Sequence, residues 1–194
     1  HRWVPTQVGA LTNWKQVAKS YAHGGAITTD GTLFMWGVNT DGCLGTGNTT
    51  NYSSPVQIGA LTDWAQITGG DNFTVAVKAD GTLWSWGGNT YGQLGQNDTT
   101  PRSSPVQVGS GTDWSFAAAS GFHALAIKTS GELYAWGRND LGALGLGDTT
   151  HRSVPTQVGA LTTWVTCAGV TSIADTYVRA SLAVKTDGTL WSWG

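Results

Sequence analysis

The sequence predicts an all-β protein: a β-propeller of four-stranded antiparallel blades, with about four blades' worth of strands in its 194 residues. Three observations carry this expectation. Pro5, Pro55, Pro105 and Pro155 recur at a spacing of 50, as do Trp14, Trp64, Trp114 and Trp164. Each unit of that length divides into four short runs rich in β-branched and aromatic residues, bounded by glycine, proline, aspartate or asparagine. Only 11% of the residues are charged, less than half of the roughly 25% usual in soluble domains, as expected when both faces of every small sheet are covered by neighbours. A period near 50 with four strands per unit is the mark of a propeller blade.

Residues 53–87 illustrate the unit. Its runs are Pro55–Gly59, Trp64–Gly69, Thr74–Lys78 and Thr82–Gly87. Asp80-Gly81 joins the last two, because a tight hairpin turn needs the positive φ that glycine adopts freely. The same turn recurs at Asp30-Gly31, Ser130-Gly131 and Asp187-Gly188. No segment has a 3.6-residue apolar period, so no helix is expected. The chain reads as one domain with units of approximately 1–50, 51–100, 101–150 and 151–194. Trp64 to Asp80 spans 16 residues and Trp164 to Asp187 spans 23, so the fourth unit carries a seven-residue insertion within Thr171–Arg179. Cys43 lies in a glycine-rich loop and Cys167 in an apolar strand. Two cysteines in non-equivalent places make neither a disulfide framework nor a metal site, and both are expected as free thiols.

The run Trp-Gly-x-Asn-x-x-Gly-x-Leu-Gly appears as Trp36…Asn39…Gly42-Cys-Leu44-Gly45, as Trp86…Asn89…Gly92-Gln-Leu94-Gly95 and as Trp136…Asn139…Gly142-Ala-Leu144-Gly145. His123-Ala-Leu-Ala-Ile-Lys128 precedes the last of these. Together they resemble the repeats of the regulator of chromosome condensation family, and the resemblance covers essentially the whole chain. It implies a β-propeller, usually of seven blades, with the Trp-x-x-Val strand innermost and the Pro-x-x-Val strand outermost. On that reading residues 1–8 form an outer strand without its blade, and residues 164–194 form three inner strands without an outer one. The chain is then an excerpt of a seven-bladed disc, half of an eight-bladed disc made by two copies, or a closed four-bladed ring. The first is the preferred reading. Open sheet edges recruit partners, so self-association or further blades are expected to close the propeller.

The resemblance also implies functions, and the residues weigh against several. The founding role, exchange factor for a small nuclear GTPase and nucleosome binder, needs a basic contact surface. Ten lysines and arginines against twelve acids give a net charge of −2, so no nucleic-acid partner is expected. No run approaches the ~20 apolar residues of a membrane span, and no membrane partner is expected. Arg2, Arg102 and Arg152 share one repeat position and read as a solvated rim. Light sensing in this family uses a Gly-Trp-Arg-His-Thr run; the corresponding places here, Ser20-Tyr-Ala-His-Gly24 and Ser120-Gly-Phe-His-Ala124, hold neither tryptophan nor arginine.

Catalytic signals are weak. His1, His23, His123 and His151 show no metal-ligand spacing, and the family's repeated histidine becomes Phe73 in the second unit and Ala180 in the fourth. There is no Gly-x-Ser-x-Gly, phosphate loop or His-Glu-x-x-His. No enzyme activity, cofactor or metal is expected. The repeat-position tryptophans, Trp36, Trp86 and Trp136 among them, are expected as buried core. Trp3 alone has no tryptophan partner in the repeat; Ser53, Ser103 and Ser153 stand in its place. Binding in repeat scaffolds sits where loops break the pattern. The candidate partner-binding residues are therefore Trp3 and, in the insertion, Thr171, Ser172, Asp175, Tyr177 and Arg179. The expected function is a non-enzymatic scaffold for protein–protein interaction, of the kind found on bacterial or viral surfaces. Regulation of a small GTPase by nucleotide exchange is the alternative.

Overall fold

The computed structural model describes residues 4–171 and 179–194. Within them the chain is all-β, with fifteen strands and no helix. Blade one contains β1 (Trp14–Lys19), β2 (His23–Thr28), β3 (Leu33–Gly37) and β4 (Tyr52–Gln57). Blade two contains β5 (Trp64–Gly69), β6 (Phe73–Lys78), β7 (Leu83–Gly87) and β8 (Arg102–Gln107). Blade three contains β9 (Trp114–Ala119), β10 (His123–Lys128), β11 (Leu133–Gly137) and β12 (Arg152–Gln157). Blade four contains β13 (Trp164–Thr171), β14 (Arg179–Lys185) and β15 (Leu190–Trp193). Each blade is an antiparallel meander in chain order. The blades pack in sequence, β5 on β1 and β2, β9 on β5 and β6, and β13 on β9 and β10.

The hairpin glycines are doubly constrained. Gly31, Gly81 and Gly131 hold φ between 78° and 86°. A Cβ on Gly31 would stand 2.2 Å from the Thr62 carbonyl oxygen. The reason for this approach is that Trp64 N–H donates to the Gly31 carbonyl at 3.1 Å, tying each hairpin to the start of the next blade.

The core is split into three seams. Ile27, Leu33, Met35 and Leu44 of blade one pack with Ile67, Ala76 and Trp86 of blade two. Phe73, Val75 and Leu94 pack with Ala117, Ala124 and Trp136 between blades two and three. Leu125, Ala135 and Leu144 pack with Trp164, Cys167 and Ala183 between blades three and four. Each seam is fastened by the motif tryptophan. Trp86 Nε1 donates to the Cys43 carbonyl at 2.8 Å, Trp136 Nε1 to the Gln93 carbonyl at 2.9 Å, and Trp193 Nε1 to the Ala143 carbonyl at 2.9 Å. The Leu-Gly that closes the motif is the seat of that indole: a Cβ on Gly45 would lie 2.9 Å from Trp86 Nε1, and one on Gly95 3.0 Å from Trp136 Nε1. The motif is thus a joint between blades.

Two expectations need correction. Trp64, Trp86, Trp114, Trp136 and Trp164 are buried, but Trp14 and Trp36 of blade one, and Trp193 of blade four, which has three strands among the described residues, are only half-buried. A motif tryptophan is covered by the loop of the preceding blade, and no blade packs against that side of blade one among the described residues. Residues 4–8 form no strand and are exposed. An outer strand pairs with the third strand of its own blade, as Thr156 and Gln157 pair with Ala135 and Tyr134. Val4-Pro5-Thr6-Gln7-Val8 repeats Val154–Val158 residue for residue, yet no such partner lies beside it. At the far end β15 pairs with β14 only, and Leu190 and Trp191 are exposed. Blade four does not pack on blade one among the described residues, so the described residues form an open arc and not a closed four-bladed ring.

Candidate functional site

The ladders give the arc two unlike faces. Lys19 pairs with Gly24, His23 with Gly37, and Gly37 with Tyr52. One end of each blade therefore carries the short turn after its first strand and the long loop after its third. This is the loop face. The Asp-Gly hairpins lie at the other end.

The long loops are rigid because one buried asparagine braces each. In blade two, Asn89 Nδ2 donates to the carbonyls of Asp98 and Thr100 at 3.0 and 3.1 Å, and its Oδ1 accepts from Leu94 N–H at 2.9 Å. Asn39 and Asn139 do the same. Arg102 and Arg152 are occupied within these loops, ion-paired to Asp98 and Asp148 at 2.6 Å. The Thr100 N–H, then Arg102, hold the Asp98 carboxyl below its usual range; the Thr150 N–H, then Arg152, do so for Asp148. These arginines are structural rim residues.

The repeated histidine works across the seam. His23 Nε2 lies 3.1 Å from Thr74 Oγ1 of the next blade, and Thr74 donates its own proton to the Cys43 carbonyl at 2.8 Å. The imidazole is therefore the donor, and its Nδ1 faces the Ser20 hydroxyl at 2.7 Å. His123 Nε2 meets Ser181 at 2.9 Å in the same way, with Ser181 donating to the Ala143 carbonyl. In the middle seam both partners change together: Phe73 and Ala124 share one apolar cluster. Burial pushes the His23 pKa down to about 4, from 6.5. The unfolded chain then binds the extra proton between these values, so stability is full above pH 6.5 and falls as pH drops toward 4. We expect a loss of about 3 kcal/mol over that window, read as a falling urea midpoint. The pair His23→Phe, Thr74→Ala, which copies the middle seam, should remove this contribution. Cys43 and Cys167 are free and buried, and burial pushes both thiols up to about 12, so they are inert packing residues.

One group on the loop face departs from the repeat. Arg138 lies over the Tyr91 ring at 4.6 Å and the Phe122 ring at 5.9 Å. The Tyr91 ring stands edge-on to Phe122 at 5.5 Å and to His151 at 5.3 Å. Asp140 holds the guanidinium through two oxygens, at 2.9 and 2.6 Å, and His151 Nδ1 accepts from Asn139 N–H at 3.0 Å. The equivalent places hold Asp41 and Leu141 for Tyr91, Ala22 and Asn72 for Phe122, and Val38 and Gly88 for Arg138, whereas His151 shares its place with His1 as well as with Asn51 and Pro101. Tyr91, Phe122 and Arg138 are half-buried and His151 is exposed. An aromatic pair with a fixed arginine is the composition of a contact hot spot. The sequence reading missed it; comparing the columns of the repeat would have shown three of its members as departures.

The predicted partner-binding residues divide. Trp3, Ser172, Asp175 and Tyr177 lie outside the described residues. Thr171 and Arg179 form the last described rung of the β13–β14 ladder, which runs to eight and seven residues where the equivalent strands of other blades have six. The insertion thus leaves from the loop face. Ser120, in the turn that carries Phe122, donates to the Val170 carbonyl at 2.9 Å, so the base of the insertion is bonded to that turn. Among the described residues no three His, Cys, Asp or Glu side chains gather as a metal site.

The profile of the regulator of chromosome condensation (RCC1) repeat matches residues 30–77, 80–127 and 130–174. The chain belongs to the RCC1 repeat family. A second profile of the same repeat matches residues 64–93 and 115–143. Each long RCC1 match opens at a hairpin turn and runs into the next blade, so it crosses a seam and carries the acceptor carbonyl of the joint, while the tryptophan that donates to it lies beyond the end of the match. Among solved structures, yeast RCC1 (Prp20) bound to Kap60 superposes with a TM-score of 0.81 at 24% identity, over 96% of this chain and 45% of that one. Prp20p of Saccharomyces cerevisiae, studied for its binding to Gsp1p and histones, gives 0.83 at 23% over 98% and 48%. Human WBSCR16 gives 0.78 at 24% over 100% and 50%. These likenesses are of fold, and this RCC1-repeat chain spans about half the length of each.

Proposed function

We propose that this RCC1-repeat arc is a non-enzymatic scaffold that binds a protein partner through its loop face. The observation that carries the reading is the Tyr91–Phe122–Arg138 group, set on braced loops, with the turn that carries Phe122 bonded to the root of the Thr171–Arg179 insertion. The buried histidines support it, since His23 and His123 are bonded across seams to Thr74 and Ser181. The test is affinity capture from cells of the source organism, comparing the parent chain with the triple variant Tyr91→Ala, Phe122→Ala, Arg138→Ala. A partner held by the parent should be depleted at least about tenfold with the variant, as expected when hot-spot residues are removed. Equal recovery by both chains sinks the loop-face assignment.

Regulation of a small GTPase is a second reading, favoured only by the fold shared with Prp20p. Recovery of a GTPase, followed by accelerated release of its bound nucleotide, would establish it. Self-association belongs to the same proposal: the open edge of β15 and the unpaired Val4–Val8 segment complement each other in the way β11 complements β12. Sedimentation mass should rise with concentration, and a constant monomer mass refutes it.

A further inference from the structure

The hairpin face carries a second repeated device. In three blades a lysine ammonium rests on a T-shaped aromatic pair of its own blade. Lys78 Nζ lies 4.9 Å from the Trp64 ring and 4.3 Å from Trp84. Lys128 lies 5.4 Å from Trp114 and 5.3 Å from Tyr134. Lys185 lies 5.0 Å from Trp164 and 3.7 Å from Trp191. The ring pairs are alike, with centroids 5.2–6.0 Å apart and planes at 76–81°. Rings set in this way turn their negative faces toward one point, and a cation placed there is stabilised.

Blade one builds the same pair without the cation. Trp14 and Phe34 are 5.3 Å apart at 81°. The lysine position is Thr28, whose hydroxyl donates to Asp30 and to the Thr32 carbonyl of its own hairpin. Asn13 replaces the carboxylates, Asp63 and Asp113, that pair with Lys78 and Lys128. Among the described residues no cation stands over Trp14 or Phe34, and both rings are half-buried where Trp64, Trp114 and Trp164 are buried. The turn carboxylate is kept: Asp30 occupies the place of Asp80 and Asp187. Hydrogen bonds from the turn threonines chiefly hold those two carboxyls below their usual range, and the charges of Lys78 and Lys185 add to this. A cation in the equivalent place in blade one would therefore lie within electrostatic reach of Asp30.

We propose that Trp14 and Phe34, with Asp30 at the rim, form a binding site for an alkylammonium group supplied from outside the chain. Two sources share that chemistry, a lysine side chain of a protein partner and a small quaternary ammonium compound. The internal precedent is the lysine in each of the other blades.

The test follows the Trp14 indole N–H signal in a nitrogen-15 spectrum of the full chain, assigned with Trp14→Phe. Probes are Nα-acetyl-lysine methylamide, choline, and 3,3-dimethylbutan-1-ol, the neutral isostere of choline. Saturable shifts with one or both cations, and a response to the neutral isostere at least about tenfold weaker, are expected. Response to lysine amide alone identifies the side-chain source, and response to choline alone identifies the small-molecule source. Thr28→Lys installs the group found in the other three blades and should abolish the response by filling the site internally. Phe34→Leu keeps an apolar residue, removes one ring, and should weaken binding at least about tenfold, so the result does not hang on one variant folding. Equal shifts with the neutral isostere, an undiminished response in either variant, or no saturable shift with either cation overturns the proposal.

Discussion

Replacing Trp136 with alanine should lower stability by about 3–5 kcal/mol. The side chain is wholly buried in the seam between blades two and three, so the loss has three parts. Apolar burial of a large ring goes, a cavity remains that close-packed neighbours cannot fill, and the Gln93 carbonyl loses the indole donor that now reaches it at 2.9 Å. For a domain of this size the change corresponds to a fall of roughly 10 °C in melting temperature. Trp36→Ala should cost clearly less, because that ring is only half-buried. Thermal and urea unfolding of the two variants together provide the check. Equal losses would contradict the view that the preceding blade creates the burial.

The second large effect concerns the seam code. Phe73→His places an imidazole opposite Ala124, where no hydroxyl waits for it, and removes a buried phenyl ring. We expect a loss of about 2–4 kcal/mol, since an unpaired buried polar group costs about 1–3 kcal/mol on its own and the ring change adds to it. Adding Ala124→Thr should recover at least about 1 kcal/mol beyond additivity. The new hydroxyl would accept from the histidine and donate to the Gln93 carbonyl, as Thr74 donates to Cys43 and Ser181 to Ala143. A strictly additive cycle would show that the two positions do not communicate.

The blade architecture was legible because its determinants are local or periodic. Asp-Gly turns, alternating β-branched strands and the fifty-residue spacing of tryptophan and proline each recur, and one unit explains the rest. Burial was less legible, because it depends on what lies beside a blade. Trp36 and Trp86 stand in the same Trp-Gly-x-Asn motif, and what separates their burial is a neighbouring blade on one side. The histidine column was read as weakened by its departures, when the departures are paired with changes one blade later. The Tyr91–Phe122–Arg138 group was hidden for a related reason. Its members come from two blades and three loops, so no window of sequence contains them, and only the closure of a seam brings them within contact distance.

The paired histidine seams also restrict how such an array can grow. Seam one joins His23 to Thr74, seam two sets Phe73 beside Ala124, and seam three joins His123 to Ser181. Copying blade two alone would set a phenyl ring against threonine. Copying blade three alone would set a histidine against alanine. Copying blades two and three as a pair makes only matched junctions, His123 to a new threonine and the new phenylalanine to a new alanine. The array therefore lengthens without frustration in steps of two blades, and its parity is written into the side chains at the joints.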